Sequence, residues 1–189
     1  KKFGVVFEVR SSFNGLRGTL VKEEAKSMER VVVRGVSLEK SQAKVTLVGV
    51  ADRPGVAAKL FTGIAKAGIN LDMIVQNVAE DRTTDFTFTV HRNDYDKVMK
   101  VIEQVADDLG AVEVKGDNTI CKVSIVGVGM RSHAGVASKM FDALASESIN
   151  IQMISTSEIK IAVVIAEKYL ELAVRTLHAA FGLSDESLV

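Results

Sequence analysis

The chain has 189 residues, 47% of them in the hydrophobic set, and equal numbers of acidic and basic side chains. That is enough apolar material for one compact domain or two small ones. Zero net charge gives no electrostatic reason to expect nucleic acid or an anionic membrane as a partner, and no apolar run approaches the roughly 20 residues needed to cross a bilayer.

No stretch resembles a secretory leader. The single cysteine, Cys121, cannot form an internal disulfide, which fits a reducing, cytoplasmic compartment. The first residue is lysine, so the start is expected to be a processing or cloning boundary and not a translation start.

Residues 4–9, GVVFEV, are expected as a strand, and residues 11–19, rich in Ser, Asn and Gly, as a loop. Lacking a partner of their own, residues 1–27 form either the severed end of something larger or an ordered arm packed on its own domain. Residues 30–38, RVVVRGVSL, are a β-branched strand candidate, and Ser41, Gln42 and Ala43 are expected as a link.

A repeat follows. KVTLVGVADRPGVAAKLFTGIAKAGIN at 44–70 returns as KVSIVGVGMRSHAGVASKMFDALASESIN at 122–150, with two extra residues in the turn of the second copy. Gly55 answers Gly135, Phe61 answers Phe141, and Asn70 answers Asn150.

The first copy predicts a strand at 45–50, a helix at 55–67 with Val56, Leu60 and Ile64 on its apolar face, and strands at 71–78 and 84–90 around an Asp81-Arg82 turn. A helix at 95–109 carries Val98, Ile102, Val105 and Leu109 on one face, and a short strand at 111–114 closes the unit. The second copy predicts a strand from Lys122, a helix at 134–147, strands at 151–155 and 159–165, and a helix at 169–181 with Leu170, Val174, Leu177 and Phe181 inward.

The order βαββαβ packs two helices on one side of a four-stranded antiparallel sheet, an α+β architecture. The closing residues GLSDESLV are too short and polar for a last strand. Residues 31–36 are therefore expected to complete the second sheet, with the first module inserted in the second.

The turn after each first strand is the most informative place. Pro54-Gly55 sets a fixed φ and a bare backbone at a helix start, where unpaired N–H groups and the helix dipole can hold a carboxylate. Asp52 beside them either accepts an ammonium or simply caps the helix. The combination suits a zwitterion such as an amino acid better than a phosphate, which Asp52 would repel.

Gln76 and Asn77, and the matched Asn150, Gln152, Ser155, Thr156 and Ser157, fit either small-ligand recognition or the polar face of a sheet. His91, His133 and His178 have no ligand spacing, and His133, standing where the first copy has Pro54, is treated as a turn residue. Asp107-Asp108 and Glu23-Glu24 are expected as solvated charges. No nucleotide-binding glycine motif and no catalytic constellation is present in residues 28–189.

KVTLVGVADRPGVAAKLF, INLDMIVQNV, TTDFTFTV, VSIVGVGMRSHAGVASKMF and INIQMISTSEIKIAVVI resemble the tandem ACT modules at the regulatory end of aspartokinase, over residues 28–182. The opening KKFGVVFEVRSSFN resembles the last strand and loop of that family's amino-acid kinase domain. The resemblance implies a kinase remnant and linker at 1–27, a strand at 28–43 completing the second ferredoxin-like ACT module, a first module at 44–116 and a second at 117–189. Met28 falls where some members begin a separately translated small subunit.

By resemblance, Asp52, Pro54, Gly55, Val56, Ala57 and Gln76 form an effector site, with Asn150 and Ile151 contributed by the second module. An equivalent pocket lies around Met130, Ser132, His133, Gly135 and Val136 with Asn70 and Leu71, though its loop is longer and lacks Asp-Arg-Pro-Gly. The family implies a homodimer paired through ACT sheets and a catalytic kinase domain or subunit as partner. Threonine, lysine or both are the implied effectors, and the Asp52/Gln76 set is closer to the threonine-binding version. The implied parent reaction is feedback-inhibited phosphorylation of L-aspartate, with ATP and Mg held in the catalytic domain and no cofactor in this chain. The other readings are an ACT-type small-molecule sensor of an unrelated protein and a ferredoxin-like protein-interaction module.

Overall fold

The computed structural model describes residues 6–10, 12–13, 18–21, 33–128, 130 and 135–183. Two short strands, β1 (Phe7–Val9) and β2 (Thr19–Val21), pair antiparallel as a hairpin of their own. This corrects the expectation of a partnerless opening. TLV directly after the polar loop is a β-prone triplet, and it supplies the partner.

The remaining elements run β3 (Val33–Ala51), α1 (Val56–Lys66), β4 (Leu71–Val78), β5 (Thr83–His91), α2 (Tyr95–Leu109), β6 (Glu113–Gly127), α3 (Val136–Ser146), β7 (Met153–Thr156), β8 (Lys160–Ala166) and α4 (Leu170–Ala180). Six strands form one sheet in the order β4-β5-β3-β6-β8-β7. The expected separate sheets are thus one continuous sheet carrying two modules.

The cause is the length of its two central strands. β3 runs through the expected Ser41-Ala43 link, and β6 fuses the closing strand of the first copy to the opening strand of the second. Each gives one half to each module. The second half of β3 lies between β5 and the start of β6, with Val45 opposite both Phe88 and Gly116. The first half of β3 pairs with the end of β6, Val36 opposite Ile125. Register shifts between Glu39 and Lys44 let the pairing continue through the centre.

Two apolar cores follow from this division. The first buries Val45, Leu47, Leu60, Ile64, Phe86, Phe88 and Ile102, with Phe61 set edge-on to both Phe86 and Phe88. The second buries Val123, Ile125, Met140, Leu144, Val163, Ile165 and Leu177. Each core lies between the two helices of a module and alternate residues of its strands, as a period of two requires.

The helix faces follow the expected seams, with Ala106 and Ala173 buried in addition, while Val105 and Val174 are half-buried and pack against the two cores. A Cβ at Gly63 would lie 3.7 Å from Val101 and 3.9 Å from Val105, so Val105 packs toward α1 across that glycine. A third cluster, Met73, Ile120, Met153 and Val164, joins strands of both modules away from the two main cores.

Candidate functional site

Each module presents a helix start at the end of its first strand. Gly55 and Gly135 hold φ of 90° and 93°, a left-handed conformation an L side chain rarely adopts. The next residues differ in role from their neighbours. The Val56 and Val136 side chains are core members, so only their backbone faces outward. Helix geometry leaves the first N–H groups of α1 and α3 without intrahelical acceptors.

Residues 51–55 are all exposed. The Asp52 N–H donates to the Arg82 carbonyl at 2.9 Å, which pins the turn to the β4–β5 hairpin. The hairpin is shaped in turn by Asp81, which accepts from both Thr83 N–H and Thr83 hydroxyl at 3.0 and 2.6 Å. Those two bonds hold the Asp81 carboxyl below its usual pKa. The Asp52 carboxylate accepts no hydrogen bond among the described residues and does not cap α1, which overturns the capping alternative.

Gln76 lies opposite Phe86 on β5 and shares its face of the sheet, the face α1 covers. Its amide is exposed. Asn77 falls on the other face, with its carbonyl accepting from Thr84 Oγ1 at 2.9 Å. Ala57 is half-buried and Pro54 exposed. Asp52, Gly55 and Gln76 therefore belong to one module, and the Asp52 and Gln76 side chains make no hydrogen bond among the described residues.

Asn150 and Ile151 lie elsewhere. Ile151, Gln152, Met153 and Ile154 line a cleft of about 440 Å³ with Lys44, Thr46, Val75, Asn77 and Thr87. The Gln152 side chain accepts from Lys44, and Lys44 is seven residues, about 23 Å of extended strand, from Ala51. Within one chain the structure does not bring Asn150 and Ile151 to Asp52.

In the second pocket, Met130 is buried in the second core, Gly135 is exposed, Leu71 starts β4 and Asn70 directly precedes it. Ser132 and His133 lie outside the described residues, as do Glu23-Glu24. His91 Nδ1 accepts from Asn93 N–H at 3.2 Å and caps a short turn. Asp108 pairs with Lys59 at 2.9 Å on the surface. Among the described residues no three His, Cys, Asp or Glu side chains cluster as metal ligands, and no helix is long and apolar enough to cross a membrane.

Sequence reasoning missed the polar groups that join the modules: Lys44 with Gln152, Lys122 with Asp72 and Glu39, and Arg92 with Glu167. Burial alone would pull Lys122 down, but the Asp72 and Glu39 carboxylates more than offset this and hold it above the usual lysine value. The available signal was the repeat itself, since Lys44 and Lys122 both open it.

Two models described as ACT domain match, over residues 44–107 and 123–181. In a crystal structure of aspartokinase alpha and beta subunits, one chain is 54% identical, with a TM-score of 0.75 over 80% of this chain and 99% of that one. This chain belongs to the aspartokinase family, as its tandem ACT regulatory region. The regulatory subunit of aspartate kinase from Thermus thermophilus, solved in a ligand-free form, is 42% identical with a TM-score of 0.75, over 79% of this chain and 99% of that one.

An aspartate kinase of Stutzerimonas stutzeri is 59% identical over 183 residues, which is 96% of this chain and 44% of that protein. The chain thus spans less than half the length of that curated relative. What it holds is the tandem ACT part of such a protein.

Proposed function

We propose that this ACT region senses free threonine, lysine or both, and so imposes feedback inhibition on ATP-dependent phosphorylation of L-aspartate by the kinase domain or subunit it serves. The observation that carries the reading is the pair of helix starts at Gly55 and Gly135. Each offers backbone donors for a carboxylate, and the first adds the uncommitted Asp52 carboxylate for an ammonium. Gln76, exposed on the same face of the sheet, reaches the side-chain end of the ligand. ATP and Mg belong to the catalytic partner, which is cytoplasmic.

A second copy of the chain completes the site. Asn150 and Ile151 are remote from Asp52 in their own chain, so a partner's Asn150 segment supplies them. Support comes from the sheet edges: among the described residues β4 and β7 are unpaired on one side, and they expose Ile74, Val75, Val78 and Ile154. The domain reading is an insertion. Residues 44–116 form the first ferredoxin-like module, and residues 28–43 complete a second one otherwise built from 117–189. Pairing of Val33–Glu39 with Lys122–Gly127 supports it.

Effector binding must favour the inhibited arrangement over the active one, since a ligand shifts an equilibrium only by its differential affinity. Calorimetry on the chain should detect threonine, and Asp52→Ala should weaken binding at least tenfold without lowering the melting temperature of the ligand-free protein. Undiminished threonine affinity in Asp52→Ala would remove Asp52 from the site. Absence of any response to threonine and lysine, singly and together, would remove the function.

A further inference from the structure

The two copies align Lys44 with Lys122 and Asp72 with Gln152. The structure pairs these four crosswise. Lys44 donates to Gln152, and Lys122 donates to Asp72. Each lysine leaves a central strand of one module and reaches the edge-strand start of the other. Each also stands opposite a carboxylate on the neighbouring long strand, Glu39 for Lys122 and Asp117 for Lys44.

The crossings are alike in geometry and unlike in charge. The Lys122 side chain is 3% exposed, and its ammonium lies 2.8 Å from Glu39 as well as against Asp72. An ammonium so far out of water depends on its anionic partners, because removing one leaves charge uncompensated in a poorly solvated place. Lys44 is only half-buried and meets a neutral amide. The strong crossing is therefore the one that reaches β4.

Its position gives it a role. Asp72 directly follows Asn70 and Leu71, the strand start assigned above to the second pocket. Lys122 lies on β6, five residues before Gly127, where that strand leads into the turn before Gly135. A ligand that draws on the Leu71 backbone moves Asp72 with it, and Lys122 follows its carboxylate.

We propose that Asp72 and Lys122 are a positioning pair through which ligand occupancy at the start of β4 is transmitted to β6 of the other module. The proposal rests on the reading of the helix starts as amino-acid pockets. The pair touches no ligand; it sets the relative placement of two strands that do. Packed cores shift between discrete arrangements and do not stretch, so a bond from the start of β4 to the second half of β6 carries displacement across the module boundary.

The test is amide exchange read by mass spectrometry, with threonine and lysine as probes, on the unaltered chain and on Asp72→Gln. This variant gives Lys122 the same neutral acceptor that Lys44 has. In the unaltered chain, ligand that protects residues 70–75 should also protect residues 122–127. In Asp72→Gln, protection of 70–75 should persist while that of 122–127 falls about fivefold or more. Equal protection of both segments in the variant overturns the proposal, as does protection of 70–75 alone in the unaltered chain.

If neither probe protects any segment, the pocket reading has failed, and urea-dependent exchange decides the link by itself. The two segments should then open at one midpoint in the unaltered chain and at separate midpoints in Asp72→Gln; a shared midpoint in both overturns it. Should Asp72→Gln not fold, Asp72→Asn removes the same charge with no added length and is read by the same exchange measurement; loss of coupling between residues 70–75 and 122–127 supports the proposal, and undiminished coupling overturns it.

Discussion

Arg92 and Glu167 occupy the same position in the two repeats, the first residue of the short turn before the second helix, and they are bonded to each other. Arg92 Nη2 lies 2.9 Å from Glu167 Oε2 and Nη1 lies 3.2 Å from Oε1, a two-pronged contact. Nη2 also donates to the carbonyls of Lys40 and Ile120 at 2.8 and 3.1 Å. One guanidinium therefore ties both modules to both central strands at the place where the register of β3 and β6 shifts.

Arg92→Ala should lower stability by about 1–3 kcal/mol, because two backbone carbonyls and a carboxylate lose their donor together. The pair itself is about one-third exposed on each side, so its ionic part is screened and contributes less than the carbonyl bonds. Urea midpoints of Arg92→Ala, Glu167→Gln and the double variant separate the two contributions. Glu167→Gln should cost under about 1 kcal/mol.

Gly55→Ala and Gly135→Ala should each cost about 1–2 kcal/mol, the torsional penalty of an L residue near φ +90°. A Cβ at either position meets no atom within 4 Å, so the cost is not steric in the free protein. That methyl points into open space beside the helix start. Threonine affinity should therefore fall more than stability does, which paired calorimetry and thermal melts would show.

Gly49 tests which of two effects is larger at the β3 bulge. Its φ is +67°, and an added Cβ would lie 2.7 Å from Val112 Cγ2. Val112 is 80% exposed and free to move aside, so torsion should account for most of the loss. Gly49→Ala is expected to destabilise by about 1–2 kcal/mol, and adding Val112→Ala should recover less than half of it. Recovery of most of the loss would show instead that the clash with Val112 outweighs torsion.

Stability should fall with rising pH above about 9. Burial pushes the Cys121 thiol from 9.0 up to about 11, so between those values the unfolded chain releases a proton that the folded chain keeps, and unfolding is favoured. Lys122, held above its usual 10.5, contributes fully below that value and is lost as pH rises through its folded pKa. Cys121→Ala should delay the decline until above about pH 10.5. Urea midpoints between pH 8 and 11 check the order, and Cys121 should resist alkylation at pH 8 until the chain is unfolded.

The repeat, the four helices of the two modules and the alternation of their strands were legible in the sequence, because each follows from local periodicity. Val56, Leu60 and Ile64 recur at helical spacing, and Phe86, Phe88 and Val90 at strand spacing, and all are buried. The special helix starts were legible too, since glycine at positions 55 and 135 announces a conformation other residues avoid. Asp52 shows the limit: a cap and a free carboxylate look the same along the chain, and only the carboxylate's lack of a hydrogen-bond partner among the described residues separates them.

What the residues could not disclose was the fusion of two modules into one sheet. Ser41, Gln42 and Ala43 look like a break, but Gln42 pairs with His91 on β5 and Ile120 on β6, and Ala43 pairs with Val90 on β5, across long gaps in the chain. The crosswise lysines and the Arg92–Glu167 contact belong to the same class. Their partners are 50 to 108 residues away, and no periodic pattern records a distance closed only when both modules have folded. Local preference and repetition wrote the modules into the sequence; long-range pairing decided how they are joined.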